Sequence, residues 1–586
     1  MEKINLSNWS EPAKESGLLF FAEAMIEMLF HHSHDSLKVN TLNFKTFWYD
    51  LLSVIDVVEE GYLDKGNLEP FAEEMKIFYS NDIAAQMLYA PDISYLFRKK
   101  DSSGKYVDRY SELFKNRSSD NTISIYKSVG NFIVDDLNCK DKYYNYLIGF
   151  ICTLCKCRLG FEQERDLYKL TQSLMSELLY RGYSQEYIYQ AVRSVFFSDD
   201  AVVDVDVCIE EFQSYFSFML KQYIVYFPLT LRAKSQIGSG FILTVCENVY
   251  EMFGNQFPFI GRLQVEAYDP EQARTRASEI VGLIFAVIQY QQHTQLTFIV
   301  TSAHVIDLET SQCYKLKKPL PPMKRGNGND LVANFVKENC PHQIPNLFNA
   351  LELHSSALRS VDINNQLLNL WTAIEVLVPV ERSGSFSKIN QLCNVLSSVL
   401  ASSYLRSLVI HLFNSLHIVC DAVLENVLSG IEADQEYLKL ALALSLPEYK
   451  TNLATLKKAL AEYPVLRYRL DYYSSFLSDF KILKQVYFTH VTKIRCQIMR
   501  IYRCRNMVVH DGSSAKYIEL IIQNLHFYFD TLVDTIYYHA CNGLWDLDSI
   551  FQKVSHHEVI IEDIIEKGIV SRDTILAVVS LPNPIL

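Results

Sequence analysis

The chain lacks a long hydrophobic run. Its most apolar stretch, Ile280 to Ile288, is far shorter than the roughly twenty residues that a helix needs to cross a bilayer. No basic segment followed by an apolar run marks a signal peptide, and the thirteen cysteines are scattered rather than spaced as a disulfide framework. We therefore expect a protein of the reducing cytoplasm that does not associate with membranes.

The sequence also lacks the usual apparatus for nucleotide hydrolysis or metal binding. Gly238-Ser239-Gly240 is not followed by the Lys-Ser or Lys-Thr of a phosphate-binding loop. Cys139, Cys152, Cys155 and Cys157 could suggest zinc, but a zinc site usually pairs two such clusters, and this one follows an apolar aromatic segment. Buried free thiols are the favoured interpretation. We expect neither a cofactor nor a metal.

The 586 residues are too many for one hydrophobic core, so three or four domains are expected. Residues 1–225 read mostly as helices of moderate length, for instance Leu18 to Leu29 and Leu167 to Leu179, whose apolar residues recur at helical spacing. We interpret this part as a helical N-terminal region with a regulatory or sensor role.

The pattern changes in residues 226–330. Phe257 to Ala267 looks extended, Asp269-Pro270-Glu271 caps a helix that runs to about Gln291, and Gln295 to Val305 alternates as a strand. This pattern is typical of a small α/β module.

A segment rich in proline and glycine, residues 315–330, is the clearest linker in the chain. After it, residues 345–586 form a third region of the chain.

The most informative segment runs from Arg503 through Arg505, Asn506 and His510 to Gly512. It places guanidinium, amide and imidazole groups together near a predicted helix end. Imidazole ordinarily titrates near neutrality and can take a proton from a ribose 2′-hydroxyl, while a guanidinium neutralises charge that builds on the phosphate. The residue types favour a site that cleaves RNA.

The surrounding sequence is cationic. From Lys481 to Lys516 there are eight basic residues against the single acid Asp511, or 8 − 1 = +7, in a chain whose net charge is −13. Such a local excess favours an anionic ligand. On this basis the candidate substrate-binding residues are Lys493, Arg495, Arg500 and Arg503. The alternative is structural, with the arginines paired to carboxylates elsewhere in the chain.

Helical geometry separates the roles of these residues. Arg503, Asn506 and His510 share one face of a helix, and an apolar set shares another: Ile494, Ile498, Ile501 and Val508. Gly512 is the expected helix cap, which leaves His510 in the last turn. Arg505 and His510 diverge by about 140° on a regular helix, so a second copy of the helix would help both to reach one phosphate.

The segment Arg505-Asn506-x-x-x-His510 resembles the catalytic motif of the HEPN ribonucleases. The tryptophan and acid in Asn369 to Leu377, with Trp371 and Glu375, are similar to the first helix of the Apea-like group. The two-part resemblance covers roughly residues 345 to 545. It implies that residues 345–586 form an all-helical domain that dimerises and cuts RNA without a metal ion, leaving a 2′,3′-cyclic phosphate. The expected fold class is then mainly α, with a helical N-terminal region, a small α/β module in the middle and an all-helical C-terminal domain.

By this resemblance Arg505 would hold the scissile phosphate, Asn506 would position it, and His510 would act as general base or acid. Glu375 would be an orienting partner. It could equally be a buried carboxylate paired with an arginine for structural reasons. A long insertion, which includes Leu438 to Leu446 and Pro464 to Phe480, separates the two parts of the resemblance.

The resemblance further implies an endoribonuclease that acts as a toxin or antiviral-defence effector. Its expected partners are RNA, with tRNA as one candidate, a second copy of the chain bound through the helical domain, and a phage or regulatory trigger at the N-terminal region. The alternative is a catalytically inactive dimer that binds RNA or a nucleotide and acts as an interaction module.

Overall fold

The computed structural model describes residues 9, 16–29, 42–68, 70–89, 98–100, 106–108, 120–198, 204–229, 259–292, 302–317, 345–360, 362–378, 388–510, 512 and 515–580. Within them the protein is mainly α-helical, with a four-stranded antiparallel sheet in the middle of the chain. The predicted fold class is confirmed.

The described part of the N-terminal region is a bundle of helices around one core. Its helices are α1 (Ser16–Leu29), α2 (Phe44–Glu59), α3 (Pro70–Asn81), α4 (Ile83–Tyr89), α5 (Asp120–Asn138), α6 (Lys142–Cys155), α7 (Phe161–Arg181), α8 (Gln185–Phe197) and α9 (Val205–Ser214), with a short ribbon of β1 (Arg98–Lys100) and β2 (Tyr106–Asp108). The predicted helices around Leu18 to Leu29 and Leu167 to Leu179 are confirmed as α1 and α7. Every residue of α1 is buried, so this helix lies at the centre of the bundle.

The middle module is a four-stranded sheet with one helix packed on it. Its elements are β3 (Lys221–Leu229), β4 (Phe259–Ala267), α10 (Pro270–Gln292), β5 (Ser302–Asp307) and β6 (Cys313–Lys317), in the sheet order β4-β3-β5-β6. Asp269 caps α10 as predicted, because its carboxylate accepts from the Gln272 amide at 2.8 Å. The predicted linker begins three residues too early, since residues 315–317 complete β6. Residues 295–301 of the predicted strand and residues 318–330 of the predicted linker lie outside the described residues.

The described C-terminal region is all-helical. It contains α11 (Pro345–Arg359), α12 (Ile363–Leu377), α13 (Lys388–Ser402), α14 (Tyr404–Leu428), α15 (Glu436–Ser445), α16 (Lys450–Ala459), α17 (Pro464–Leu477), α18 (Phe480–His510), α19 (Ile518–Cys541), α20 (Leu547–Lys567) and α21 (Arg572–Ser580). One core, here called the motif core, joins α11 to α13 with the second half of α18, α19 and α20. A second core joins α14 to α17 with the first half of α18 and α21, and it includes the sequence between the two parts of the family resemblance.

The stretch Lys388–Leu428 is long and apolar enough, by composition alone, to cross a membrane. In the structure it is two helices, α13 and α14, and the apolar residues of both contribute to the motif core and to the second core. A core helix of a soluble protein passes the same test of composition, so this stretch is weak evidence for a membrane span.

Buried polar contacts connect the N-terminal bundle to α17. Arg469 pairs with Glu27 at 3.1 Å and Arg467 pairs with Glu164 at 2.7 Å. The carboxylate of Glu23 accepts a hydrogen bond from the Val465 amide at 3.0 Å. Removing such groups from water costs free energy unless they find partners, and each region supplies partners to the other.

Glu23 gives this interface a pH dependence. Burial raises the pKa of its carboxyl from 4.5 to about 8, against the lowering effect of the hydrogen bond from Val465. Between pH 4.5 and 8 the unfolded chain loses this proton while the folded protein keeps it, so the contribution to stability falls as pH rises through that window. We expect Glu23→Gln to raise the melting temperature relative to wild type at pH 8 by a few degrees, at roughly 1 °C per kcal/mol for a chain of this length, and to have little effect at pH 4.5.

Thermal unfolding between pH 4.5 and 8 measures this difference, with the exposed Glu60→Gln as control. A constant offset of Glu23→Gln from wild type across the whole range would contradict the assignment.

Candidate functional site

Helix α18 carries the candidate motif and ends where the sequence predicts. His510 is its last helical residue, and Gly512 has a φ of +69°, in the left-handed region that favours glycine. The predicted apolar face is also confirmed, because Ile494, Ile498 and Ile501 are buried in the motif core. This packing fixes the rotation of α18 and so determines which side chains can reach solvent.

The two parts of the family resemblance pack together in the motif core. Helix α12 begins at the cap residue Asp362, whose carboxylate accepts from the amides of the first turn, and it packs against α18. The Trp371 ring centroid lies 6.0 Å from that of Tyr502. Glu375, on the same helix, is half-buried with its carboxylate 3.5 Å from the Lys388 ammonium. It is not the deeply buried partner of an arginine that the structural interpretation expected.

The three motif residues differ in exposure. His510 is exposed, Arg505 is half-buried and Asn506 is buried. Arg505 donates from Nη1 to Oδ1 of Asn506 at 3.0 Å. The amide of Asn506 therefore orients the guanidinium of Arg505, while the imidazole of His510 remains open to a ligand.

Arg500 lies deep in the protein, 2% exposed, at the contact between α18 and the N-terminal bundle. It ion-pairs with Glu74 of α3, and its Nε donates to Asp50 of α2 at 3.3 Å, while Gln497 accepts from Nη1 at 2.6 Å. Burial opposes its positive charge, but Glu74 and Asp50 outweigh that effect and raise the pKa of Arg500. The guanidinium is thus held charged away from water.

Arg503 is one turn further along the same face and is 1% exposed. Its Nη2 lies 3.5 Å from the Asp50 carboxylate, and its guanidinium carbon lies 4.2 Å from the centroid of the Phe71 ring. None of its nitrogens makes a hydrogen bond to a described residue. The hydroxyl group of Tyr517 also donates a hydrogen bond to Asp50. This one carboxylate therefore interacts with Arg500, Arg503 and Tyr517.

The predicted cationic stripe is therefore divided. Arg500 and Arg503, which the sequence suggested as substrate-binding, are enclosed by Asp50 and Glu74, here called the carboxylate pair. These two arginines follow the structural alternative, in which they pair with carboxylates elsewhere in the chain, and neither reaches solvent in this conformation.

The other two candidate substrate-binding residues lie far from the motif. Along α18, at 1.5 Å per residue, Lys493 and Arg495 are roughly 22 to 25 Å from His510. Arg495 is exposed and donates to Oδ1 of Asn394 at 2.8 Å. One phosphate could not contact these residues and His510 together.

Sequence reasoning missed the carboxylate pair. Asp50 lies on the buried face of α2 with Phe47, Leu51 and Val54, and Glu74 lies between buried residues of α3. An acidic residue on an otherwise apolar helix face is the signal that could have found them, because such a group needs a cationic partner. It would not have identified that partner.

Asp50 tests the energetics of this cluster. Replacing it with alanine leaves two buried guanidinium groups with one carboxylate, so we expect Asp50→Ala to lower the free energy of unfolding by about 3 to 5 kcal/mol. Asp56→Ala on the same helix removes an exposed pair with Lys127 at 2.7 Å and should cost at most about 1 kcal/mol. Denaturant titration of both variants measures the contrast. Equal losses would mean that the cluster is not the structural centre described here.

No protein-family model matches this chain, and neither does any curated protein or solved structure.

Proposed function

We propose that this protein is an endoribonuclease of the HEPN type, whose N-terminal region restrains it. The observation that carries the proposal is the end of α18, where the exposed His510 follows the half-buried Arg505 by five residues on a helix packed against Trp371 of α12. These are the residue types and the helix pairing on which the family resemblance rests. A cytoplasmic toxin or antiviral effector that acts on RNA is the corresponding biological role.

In the proposed reaction, His510 takes the proton of a ribose 2′-hydroxyl, or gives one to the leaving 5′-oxygen. The 2′-oxygen attacks the adjacent phosphorus, the bond to the 5′-oxygen breaks, and a 2′,3′-cyclic phosphate and a 5′-hydroxyl result. Arg505 neutralises the charge that develops on the phosphate. Asn506 is a positioning residue, because its side chain holds the guanidinium of Arg505.

A second copy of the chain completes this site. The angular separation of Arg505 and His510 on one helix directs them to different sides, so the guanidinium and the imidazole that act on one phosphate would come from two copies of the motif. The exposed position of His510 at the end of α18 leaves it accessible to such a partner. The site would then form only when two chains associate.

The carboxylate pair supplies the restraint in this proposal. Asp50 and Glu74 hold Arg500 and Arg503 with carboxylate oxygens, the same kind of acceptor that an RNA phosphate presents. Separation of the N-terminal bundle from α18 would return both arginines to solvent beside the motif. The cationic segment would then be available to RNA.

A second candidate is a helical interaction module that binds without turnover. The burial of Arg500 and Arg503 in ion pairs favours it, since these arginines already have a structural role. Both candidates predict RNA affinity, so cleavage itself must be measured.

Substitution of His510 separates the two. We expect His510→Ala to reduce cleavage of a mixed tRNA substrate by at least about 100-fold, the lower end of the contribution of general acid-base catalysis, while RNA affinity is retained. The exposed His556→Ala is the matched control and should cleave like wild type.

The cleavage product should carry a 2′,3′-cyclic phosphate and form equally well in EDTA, and DNA should resist because it lacks the 2′-hydroxyl. Equal cleavage by the wild-type protein and His510→Ala would refute the proposed catalytic role of His510. Loss of cleavage in EDTA would refute the metal-independent chemistry.

Release of the restraint is tested at Glu74. We expect Glu74→Gln to raise the cleavage rate several-fold, because Arg500 loses one of its two carboxylates and α3 is held less firmly against α18. Glu59→Gln, which removes an exposed carboxylate of α2 that pairs with Lys127, is the control. An unchanged rate in a folded Glu74→Gln protein would show that the ion pair does not restrain the enzyme.

A further inference from the structure

The four-stranded sheet of the middle module has two different faces. The buried side chains of Val225, Val265 and Val305 share one face and pack against α10. Because side chains alternate along a strand, the residues next to these valines belong to the opposite face, here called the outer face. Among the described residues, none of the hydrophobic side chains of the outer face belongs to a core of the protein.

One row across the outer face sets an aromatic ring between two cations. The strand register pairs Tyr226 with Arg262 on one side and with His304 on the other, and it pairs His304 with Lys315. Lys315 is exposed, Tyr226 and Arg262 are half-buried, and His304 is buried. Neighbouring strands lie about 4.8 Å apart, so the backbones of Arg262 and Lys315 are separated by three such spacings, or roughly 14 Å.

The outer face is cationic although the chain as a whole is acidic. Three of its strand residues carry positive charge, Arg262, Lys315 and Lys317, and no ion pair joins any of them to a described residue. The single acid among the strand residues of this face is Glu266, which accepts a hydrogen bond from Gln222 at 2.5 Å. In a chain of net charge −13, such an excess of cations favours an anionic ligand.

We propose that the outer face binds single-stranded nucleic acid, with a base stacked on Tyr226 and the flanking phosphates on Arg262 and Lys315. A four-stranded sheet can stack two or three unpaired bases on its aromatic side chains while cations contact the phosphates. The next row offers the half-buried Ile224 and Ile306, which the register also pairs, as an apolar contact for a neighbouring base. Every base has a face that can stack, so binding is tolerant of sequence.

This surface is distinct from the proposed ribonuclease site. It lies on the strands of the middle module, whereas the proposed catalytic groups lie at the end of α18. Binding at the outer face does not require that the chain cleaves RNA, so the two proposals can fail separately. If both hold, the middle module selects unpaired segments of the substrate.

Fluorescence anisotropy on the full chain tests binding with labelled decamers of 2′-O-methyluridine and of thymidine, neither of which has the 2′-hydroxyl that the proposed cleavage needs. We expect Tyr226→Ala to weaken binding at least about fivefold, while Tyr226→Phe, which keeps the ring, binds like wild type. Arg262→Gln and Lys315→Gln should each flatten the dependence of log Kd on log salt by roughly 0.7, while the exposed Lys481→Gln should not. Preference for either decamer supports the proposal and distinguishes RNA from DNA as its source.

Photochemical cross-linking provides a readout in the wild-type protein, where folding of a variant is not in question. A decamer with 5-iodouracil in place of one base should cross-link to the ring on which that base stacks, and mass spectrometry should locate the adduct at Tyr226. The proposal is overturned if neither decamer binds, if a glutamate decapeptide or a duplex of the same length binds as tightly, or if Tyr226→Ala binds like Tyr226→Phe. Adducts found only outside the middle module would also overturn it.

Discussion

Four buried charged side chains join the N-terminal bundle of this protein to helix α18. Arg500 and Arg503 of α18 face Asp50 and Glu74 of the N-terminal bundle, and each of the four side chains is at most 7% exposed. Desolvating such groups costs several kcal/mol for each ion unless the opposite charges meet with good geometry. The bundle cannot bury its two carboxylates without the arginines, and α18 cannot bury its two arginines without the carboxylates. The arginines are therefore either paired with the docked bundle or exposed to water.

This constraint determines the surroundings of the candidate motif. Helix α18 packs its isoleucines into the motif core and its arginines against the bundle, and its first half enters the second core. A 31-residue helix held on three sides has little freedom to rotate. His510 is directed outward because the other faces of the helix are occupied, and Arg505 lies at the edge between the enclosed and the open side.

Local features of the sequence predicted the elements well. The helical spacing of apolar residues identified α1, α7 and the buried face of α18, and Asp269 and Gly512 marked helix ends because their chemistry acts over a few residues. The packing of Trp371 against the motif helix was not predicted, since no local pattern relates α12 to α18. The carboxylate pair could not be located, because Asp50 and Arg500 are 450 residues apart in the chain. A count of local charge does not include such remote partners, so it predicted that Arg500 and Arg503 are exposed to solvent although both are buried.

The order of these groups along the chain has a consequence for synthesis on the ribosome. Asp50 and Glu74 emerge hundreds of residues before Arg500 and Arg503, and nascent chains fold from the N-terminus. When the two arginines leave the exit tunnel, the acidic side chains that neutralise them have already been synthesised on the same chain. During synthesis of the full chain, the basic helix is therefore always accompanied by its carboxylate partners. A product that starts at an internal codon after Glu74 would expose the two arginines without them.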